Sequence, residues 1–232
     1  MSLDVENWWR YHATSSLGES NYKMRVLGWD ETVGLNASIE MTNLGTSVVD
    51  HDLVTCLEGG GIEDFPLFFV SMQLGDYLDG VLNTYYQSGI YAPSYQELFT
   101  SSWLLGWEAE YWTEEPACFT KVMNDGSLCI GRSSPIELKF YTEGQNESVT
   151  VPAGTFPNAI KVKFTLRMAT TIVLPGMNTS APLTVETTQW YEPFLGLVRS
   201  EISTSYVELL PGQNSTAPIF SVIELVEYAV QP

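Results

Sequence analysis

The chain has 232 residues, 44% hydrophobic and 12% aromatic, too apolar for a disordered segment and long enough to bury a sizeable core. Its 28 acidic residues outnumber 10 basic ones, for a formal net charge of −18. That balance repels phosphate backbones and anionic bilayers, and no Lys/Arg cluster opposes it locally, so nucleic acid is not an expected partner.

No run of about 18 apolar residues is present, so no transmembrane helix is expected. Met1-Ser2-Leu3 leads directly into Asp4 with no visible signal peptide. We read this as a mature exported domain whose targeting segment has been trimmed, with a cytosolic chain as the alternative. Sequons begin at Asn36, Asn146, Asn178 and Asn214. They fit export if the source glycosylates its exported proteins, and otherwise they are polar loop residues.

In chain order, the first strand-like segment is Asn7-Trp8-Trp9-Arg10-Tyr11-His12-Ala13. It places Trp8 and Arg10 on one face and Trp9 and Tyr11 on the other. Residues 22–27 and 35–41 read as a hairpin about Gly28 to Gly34, and 48–57 as a weaker strand ending at Gly59-Gly60-Gly61. The middle changes character. Val70, Leu74, Tyr77, Leu78, Val81, Leu82 and Tyr85 recur at helical spacing, and Ser94-Tyr95-Gln96-Glu97 has the form of a capping box. Helices are therefore expected at roughly 66–86 and 94–105, in a partly helical insertion spanning 57–115. A pair of aromatic-rich strands is the rival reading.

Strand signals resume at 107–113, 119–123, 128–130 and 136–141. The clearest one follows, where Ile160, Val162, Phe164 and Leu166 alternate with Lys161, Lys163 and Thr165. Just before it, Pro152 presets φ for a turn and Gly154 lets the chain reverse. Beyond come 169–174, a polar loop with Pro175-Gly176 and Asn178, then strands at 183–191 and 197–206 about a turn at Glu192-Pro193-Phe194-Leu195-Gly196. A second loop, 211–218, precedes a last strand at 219–230. Roughly ten strands with short turns, no repeat and no linker argue for an antiparallel all-β fold with a helical insertion, as one domain over 1–232.

Three cysteines, Cys56, Cys118 and Cys129, are too few for a disulfide scaffold. A two-residue loop at Asp125-Gly126 sets Val122, not Cys118, opposite Cys129. A Cys118–Cys129 disulfide would then need a shifted or longer loop, leaving Cys56 as a small buried hydrophobe.

Neither histidine, His12 or His51, lies in a nucleophile-elbow or protease-like context, and His51-Asp52 with Cys56 fits no zinc spacing. Glu63-Asp64, Asp76, Asp79 and Glu114-Glu115 would suit calcium or a hydrolytic carboxylate pair only if loops gathered them; solvated surface charge is the default. Gly59-Gly60-Gly61 lacks the Lys-Ser/Thr of a phosphate loop. No catalytic residue, metal ligand or cofactor is assigned. The aromatics are more informative. Helices capping an open sheet would enclose an apolar cavity, and Phe68, Phe69, Tyr85, Tyr86 and Trp103 are the residues expected to line it.

Val149-Thr150-Val151-Pro152-Ala153-Gly154-Thr155-Phe156 and the later Trp190-Tyr191-Glu192-Pro193-Phe194-Leu195-Gly196-Leu197-Val198 resemble a family of exported prokaryotic proteins and lipoproteins of unknown function. The closing Glu224-Leu225-Val226-Glu227-Tyr228 and the early Trp9-Arg10-Tyr11 are similar to that family's last and first strands. The resemblance covers the C-terminal third and, loosely, the first forty residues. It implies an extracytoplasmic antiparallel sheet strongly curved into a half-barrel or sandwich, similar to the carriers that shuttle lipoproteins to outer membranes. It transfers no catalytic residue. The expected function is a non-catalytic domain that binds an apolar or amphipathic, lipid-like molecule. Such a domain would be periplasmic, cell-surface or secreted, with any membrane anchor outside this sequence. A cell-surface carbohydrate-binding or protein-interaction module using exposed aromatics is the alternative.

Overall fold

The computed structural model describes residues 5–15, 18–30, 36–55, 108–112, 118–123, 126–133, 137–174, 177–207 and 221–230. They form twelve strands: β1 (Trp8–Ser15), β2 (Gly18–Asp30), β3 (Asn36–Asn43), β4 (Val49–Thr55), β5 (Glu108–Trp112), β6 (Cys118–Met123), β7 (Gly126–Ser133), β8 (Glu137–Val151), β9 (Gly154–Leu174), β10 (Met177–Glu192), β11 (Gly196–Val207) and β12 (Ser221–Ala229). Every pairing is antiparallel, in the order β4-β3-β2-β1-β12-β11-β10-β9-β7-β6. β9 is long enough to share one edge between β8 and β7, and β5 lies outside β8. Among the described residues no pairing joins the two ends, so the sheet is open.

The antiparallel all-β expectation holds, with longer strands than the sequence suggested. Residues 137–151 form one strand because three register breaks in β8, between Thr142 and Val149, absorb the irregular stretch within the ladder. Part of the polar loop expected after Leu174 is strand: Asn178, Thr179 and Ser180 pair with Val173, Ile172 and Thr171. The β-branched run on β9 favours extended backbone, and pairing satisfies the polar strand's N–H and C=O groups. No helix occurs among the described residues; the expected helices at 66–86 and 94–105 lie outside them.

Alternation decides which face becomes core. In β1, Trp9, Tyr11 and Ala13 are buried while Trp8, Arg10 and His12 are half-exposed. Met24 on β2, Ile39 on β3, Ile223 and Leu225 on β12, and Val162 and Phe164 on β9 continue the same inner face. That face is strongly curled at one end. The β8–β9 tip runs past the last β9–β10 pair, Ile160–Tyr191, and folds across the sheet. Its Ala153 N–H donates to the Leu225 carbonyl of β12 at 3.1 Å, and the Phe156 and Tyr228 rings lie 6.2 Å apart. In a flat sheet β9 and β12 would stand about 14 Å apart, three spacings of about 4.8 Å.

Candidate functional site

Four sequence motifs meet at the curled end. Val151 pairs with Gly154, so Pro152-Ala153 is a two-residue turn, and Gly154 holds φ at +141°, outside the reach of most side chains. Its tip engages Leu225, where β12 has just passed its last β11 pair, Arg199–Glu224. Opposite it, Trp9 Nε1 donates to the Leu195 carbonyl at 2.9 Å and the Tyr11 hydroxyl to the Leu197 carbonyl at 3.1 Å, both buried. These bonds fasten the first strand to the β10–β11 turn. The Tyr191 hydroxyl donates to Gln189 Oε1 at 2.6 Å. Burial pushes the Tyr11 and Tyr191 hydroxyls far above the ordinary tyrosine range, with Tyr11 adding to the effect on Tyr191. They are neutral hydrogen-bonding groups here and lack the tuning of an acid–base catalyst.

The outer face is a ladder of paired charges. Arg25 grips Glu40 with two bonds of 2.7 and 3.1 Å, and the bond holds the Glu40 carboxyl below its usual range. Arg199 bonds Glu201 and reaches Glu224 at 3.1 Å; Lys161 meets Glu143 and Lys163 meets Glu186, each at 3.3 Å. Trp190 lies between Lys161 and Arg199, each 6.0 Å from its ring, and donates Nε1 to Glu147 at 3.0 Å. Lys23 stands 4.9 Å above the Trp8 ring. Of the four tryptophans with described side chains, only Trp29 is exposed, at 37%. A stacking platform for a sugar needs at least a second one beside it.

The inner face carries polar groups as well. Thr142, Thr187 and Gln189 are fully buried, and each has a polar atom without a hydrogen-bond partner. Nothing in the sequence analysis singled them out. In β10 both the inward set (Val185, Thr187, Gln189, Tyr191) and the outward set (Glu186, Thr188, Trp190) mix polar and aromatic residues, so alternation alone does not say which set is buried.

The expected cavity residues Phe68, Phe69, Tyr85, Tyr86 and Trp103 lie outside the described residues, as do Cys56 and the carboxylates at Glu63, Asp64, Asp76, Asp79, Glu114 and Glu115. Cys118 and Cys129 fall on β6 and β7, where the pairing corrects the expected hairpin: Met123 pairs with Gly126, which places that glycine in the ladder and sets Thr120, not Val122, opposite Cys129. A register shift between Phe119 and Thr120 then sets Cys118 opposite Arg132. His12 sits on the outer face, 3.3 Å from Asn21 and 3.8 Å from Glu19, and His51 is exposed on β4. No cluster of three metal-ligating side chains occurs among the described residues.

These features define an open antiparallel sheet, curled at one end, with an inner face of aromatic, aliphatic and uncharged polar residues. No protein-family model matches the chain, and no curated protein is significantly similar to it. Solved structures similar to it include one described as a "putative lipoprotein" from Parabacteroides distasonis ATCC 8503, 18% identical with a TM-score of 0.54, the match covering 99% of this chain and 97% of that one. A "putative exported protein with YmcC-like fold" from Bacteroides fragilis NCTC 9343 is 13% identical with a TM-score of 0.45, over 98% and 97% of the two chains. The first of these shows a shared fold across nearly the whole chain.

Proposed function

We propose that the chain is a non-catalytic extracytoplasmic domain that binds an apolar or amphipathic ligand on the inner face of its curled sheet. The observation that carries this reading is the chemistry of that face. Its buried residues are large hydrophobics with scattered Asn, Thr, Gln and Ser, and no cation or carboxylate appears among the buried described ones. Such a lining suits a hydrocarbon chain and offers a few oriented hydrogen bonds, the usual make-up of a lipid-like site. Two further points support it: the shared fold with a protein described as a "putative lipoprotein" favours the extracytoplasmic location, and the described surface has its cations engaged by neighbouring acids or rings.

The test is mass spectrometry of the organic extract of protein purified without detergent, together with calorimetric titration of the purified chain with 1-monolauroylglycerol. A co-purifying amphiphile near one per chain, or saturable binding of the added one, supports the reading. An empty extract with no binding at saturation overturns it.

A further inference from the structure

The β8–β9 tip leaves the sheet where its own ladder is interrupted twice. Between the pairs Gly144–Lys161 and Glu147–Ala159, Gln145 and Asn146 of β8 stand against Ile160 alone, with Asn146 at φ +55°. Between Glu147–Ala159 and Val149–Phe156, Ser148 stands against Pro157 and Asn158. The extra residue lies on β8 in the first bulge and on β9 in the second, and Pro157 has no N–H to donate. Beyond them Val149–Phe156, Thr150–Thr155 and Val151–Gly154 pair in register. The tip is a regular hairpin end on an irregular neck, the form of a hinge. Its far end is held by the burial of Val149, Val151 and Phe156, the Ala153–Leu225 bond and the Phe156–Tyr228 ring contact. At the neck, Asn158 donates to the Glu192 carboxyl from both its backbone N–H and its side-chain amide. Glu192 follows Tyr191, the last β10 residue paired with β9, so this contact ties the neck to the sheet where the ladder has ended. Glu192 Oε2 is buried without a partner, and burial pushes the carboxyl above its usual range against the pull of Asn158. The charged side chains beside it on the outer face are already engaged: Glu147 of β8 by Trp190, Lys161 of β9 by Glu143, and Arg199 of β11 by Glu201 and Glu224. On β12, Glu227 is paired with Arg10.

We propose that residues 147–159 form a flap that swings on this neck, and that Glu192 is its latch, holding it more firmly in acid than at neutral pH. The protonated carboxyl accepts from Asn158 and stays buried at little cost. The ionised one gains by moving into water, which releases Asn158 and lets the neck bend. Because the docked carboxyl titrates above the free one, the hold is complete below about pH 4 and is lost as pH rises through the raised value. Opening lifts Val149, Val151 and Phe156 off the sheet and uncovers the inner face beneath, which is closed to solvent in this structure. The flap rests on the binding function proposed above for its purpose alone, since it gives an apolar ligand a way onto that face.

The test is hydrogen–deuterium exchange of the full chain at about pH 5 and about pH 7.5, corrected for intrinsic rates, in the wild type and in Glu192→Gln. Amides of residues 149–156 should open more readily than those of residues 185–191. In the wild type that excess opening should grow about threefold or more at the higher pH, the change that half a pKa unit is worth. Glu192→Gln cannot ionise, so it should remove the pH dependence and keep the tip closed at both values. Equal protection of the tip and of residues 185–191 overturns the flap. A tip that opens alone, but with the same pH dependence in both proteins or with none in the wild type, overturns the latch. If the variant does not fold, the two wild-type measurements carry the test. No ligand is present, so failure of the chain to bind 1-monolauroylglycerol would remove the binding function and leave the flap standing.

Discussion

At the β10–β11 turn Phe194 holds φ at +65° with 82% of its surface exposed. The Leu195 N–H closes the turn onto the Glu192 carbonyl at 3.2 Å, with Pro193 and Phe194 at its centre. A left-handed backbone costs a non-glycine residue roughly 1–2 kcal/mol, and an exposed ring returns little of it. Phe194→Gly should therefore stabilise the chain by about 0.5–1 kcal/mol, read as a higher urea midpoint with an unchanged slope. A lower midpoint would show that the ring makes a stabilising contact. Residues differ in how far their roles could be read in advance. Gly154 announced its turn, because a glycine two positions after a proline has few other uses. Thr142, Thr187 and Gln189 did not, because a threonine or glutamine in a strand suits a solvated face equally well until the partners across the ladder are known.

At the scale of elements, the first strand is fixed to a hairpin far away in sequence by two side-chain bonds, Trp9 to Leu195 and Tyr11 to Leu197. Tyr11→Phe keeps the ring, Trp9→Phe exchanges a buried indole for a smaller phenyl, and each leaves one buried carbonyl without its donor. Tyr11→Phe should cost about 1–3 kcal/mol and Trp9→Phe more, because it also leaves a cavity, both measured by denaturant unfolding. Since both bonds anchor the same hairpin, the double variant should lose less than the sum of the two. Additive losses would mean that the bonds act independently. Strand identity and facing were readable for β1, where Trp9 and Tyr11 alternate with Trp8 and Arg10, and for the middle of β9. Strand extent was not. A strand ends where its partner ends, which is why 137–151 reads as two segments in one dimension and pairs as one in three. The expected cavity residues Phe68, Phe69, Tyr85, Tyr86 and Trp103 fall outside the described residues, so the proposed site rests on the sheet itself.

Charge acts on the whole molecule. From Val26 to Thr120 there is no Lys or Arg against fifteen Asp and Glu, while the described cations of β1, β2, β9 and β11 are matched by nearby acids or rings. Most of the −18 therefore has no internal counterion, and self-repulsion opposes the compact state. Raising NaCl from about 10 mM to about 150 mM shortens the screening length from roughly 30 Å to 8 Å and should raise the unfolding temperature. An unchanged or lower temperature would mean that the surface pairs, weakened by the same salt, matter more. Alkali acts the other way. The raised hydroxyl pKa values of Tyr11 and Tyr191 mean that the unfolded chain releases these protons more readily than the folded one. Their stabilising effect is complete below the unfolded tyrosine value of about 10 and is lost as pH rises above it. Unfolding should set in above about pH 10, with two tyrosines ionising only as the fold is lost in a spectrophotometric titration. Ionisation of every tyrosine before unfolding would contradict this.

The position of β12 between β1 and β11 has a consequence for how the protein is made. The first four strands can pair as soon as they are synthesised, and so can β8 to β11, but the strand that joins the two groups is encoded after both. Until residues 221–229 emerge, β1 and β11 each present an open edge shaped for the same missing segment. The last strand of a neighbouring copy fits that slot as well as the chain's own. Assembly therefore favours a chain kept apart from its copies until β12 has emerged and closed the gap.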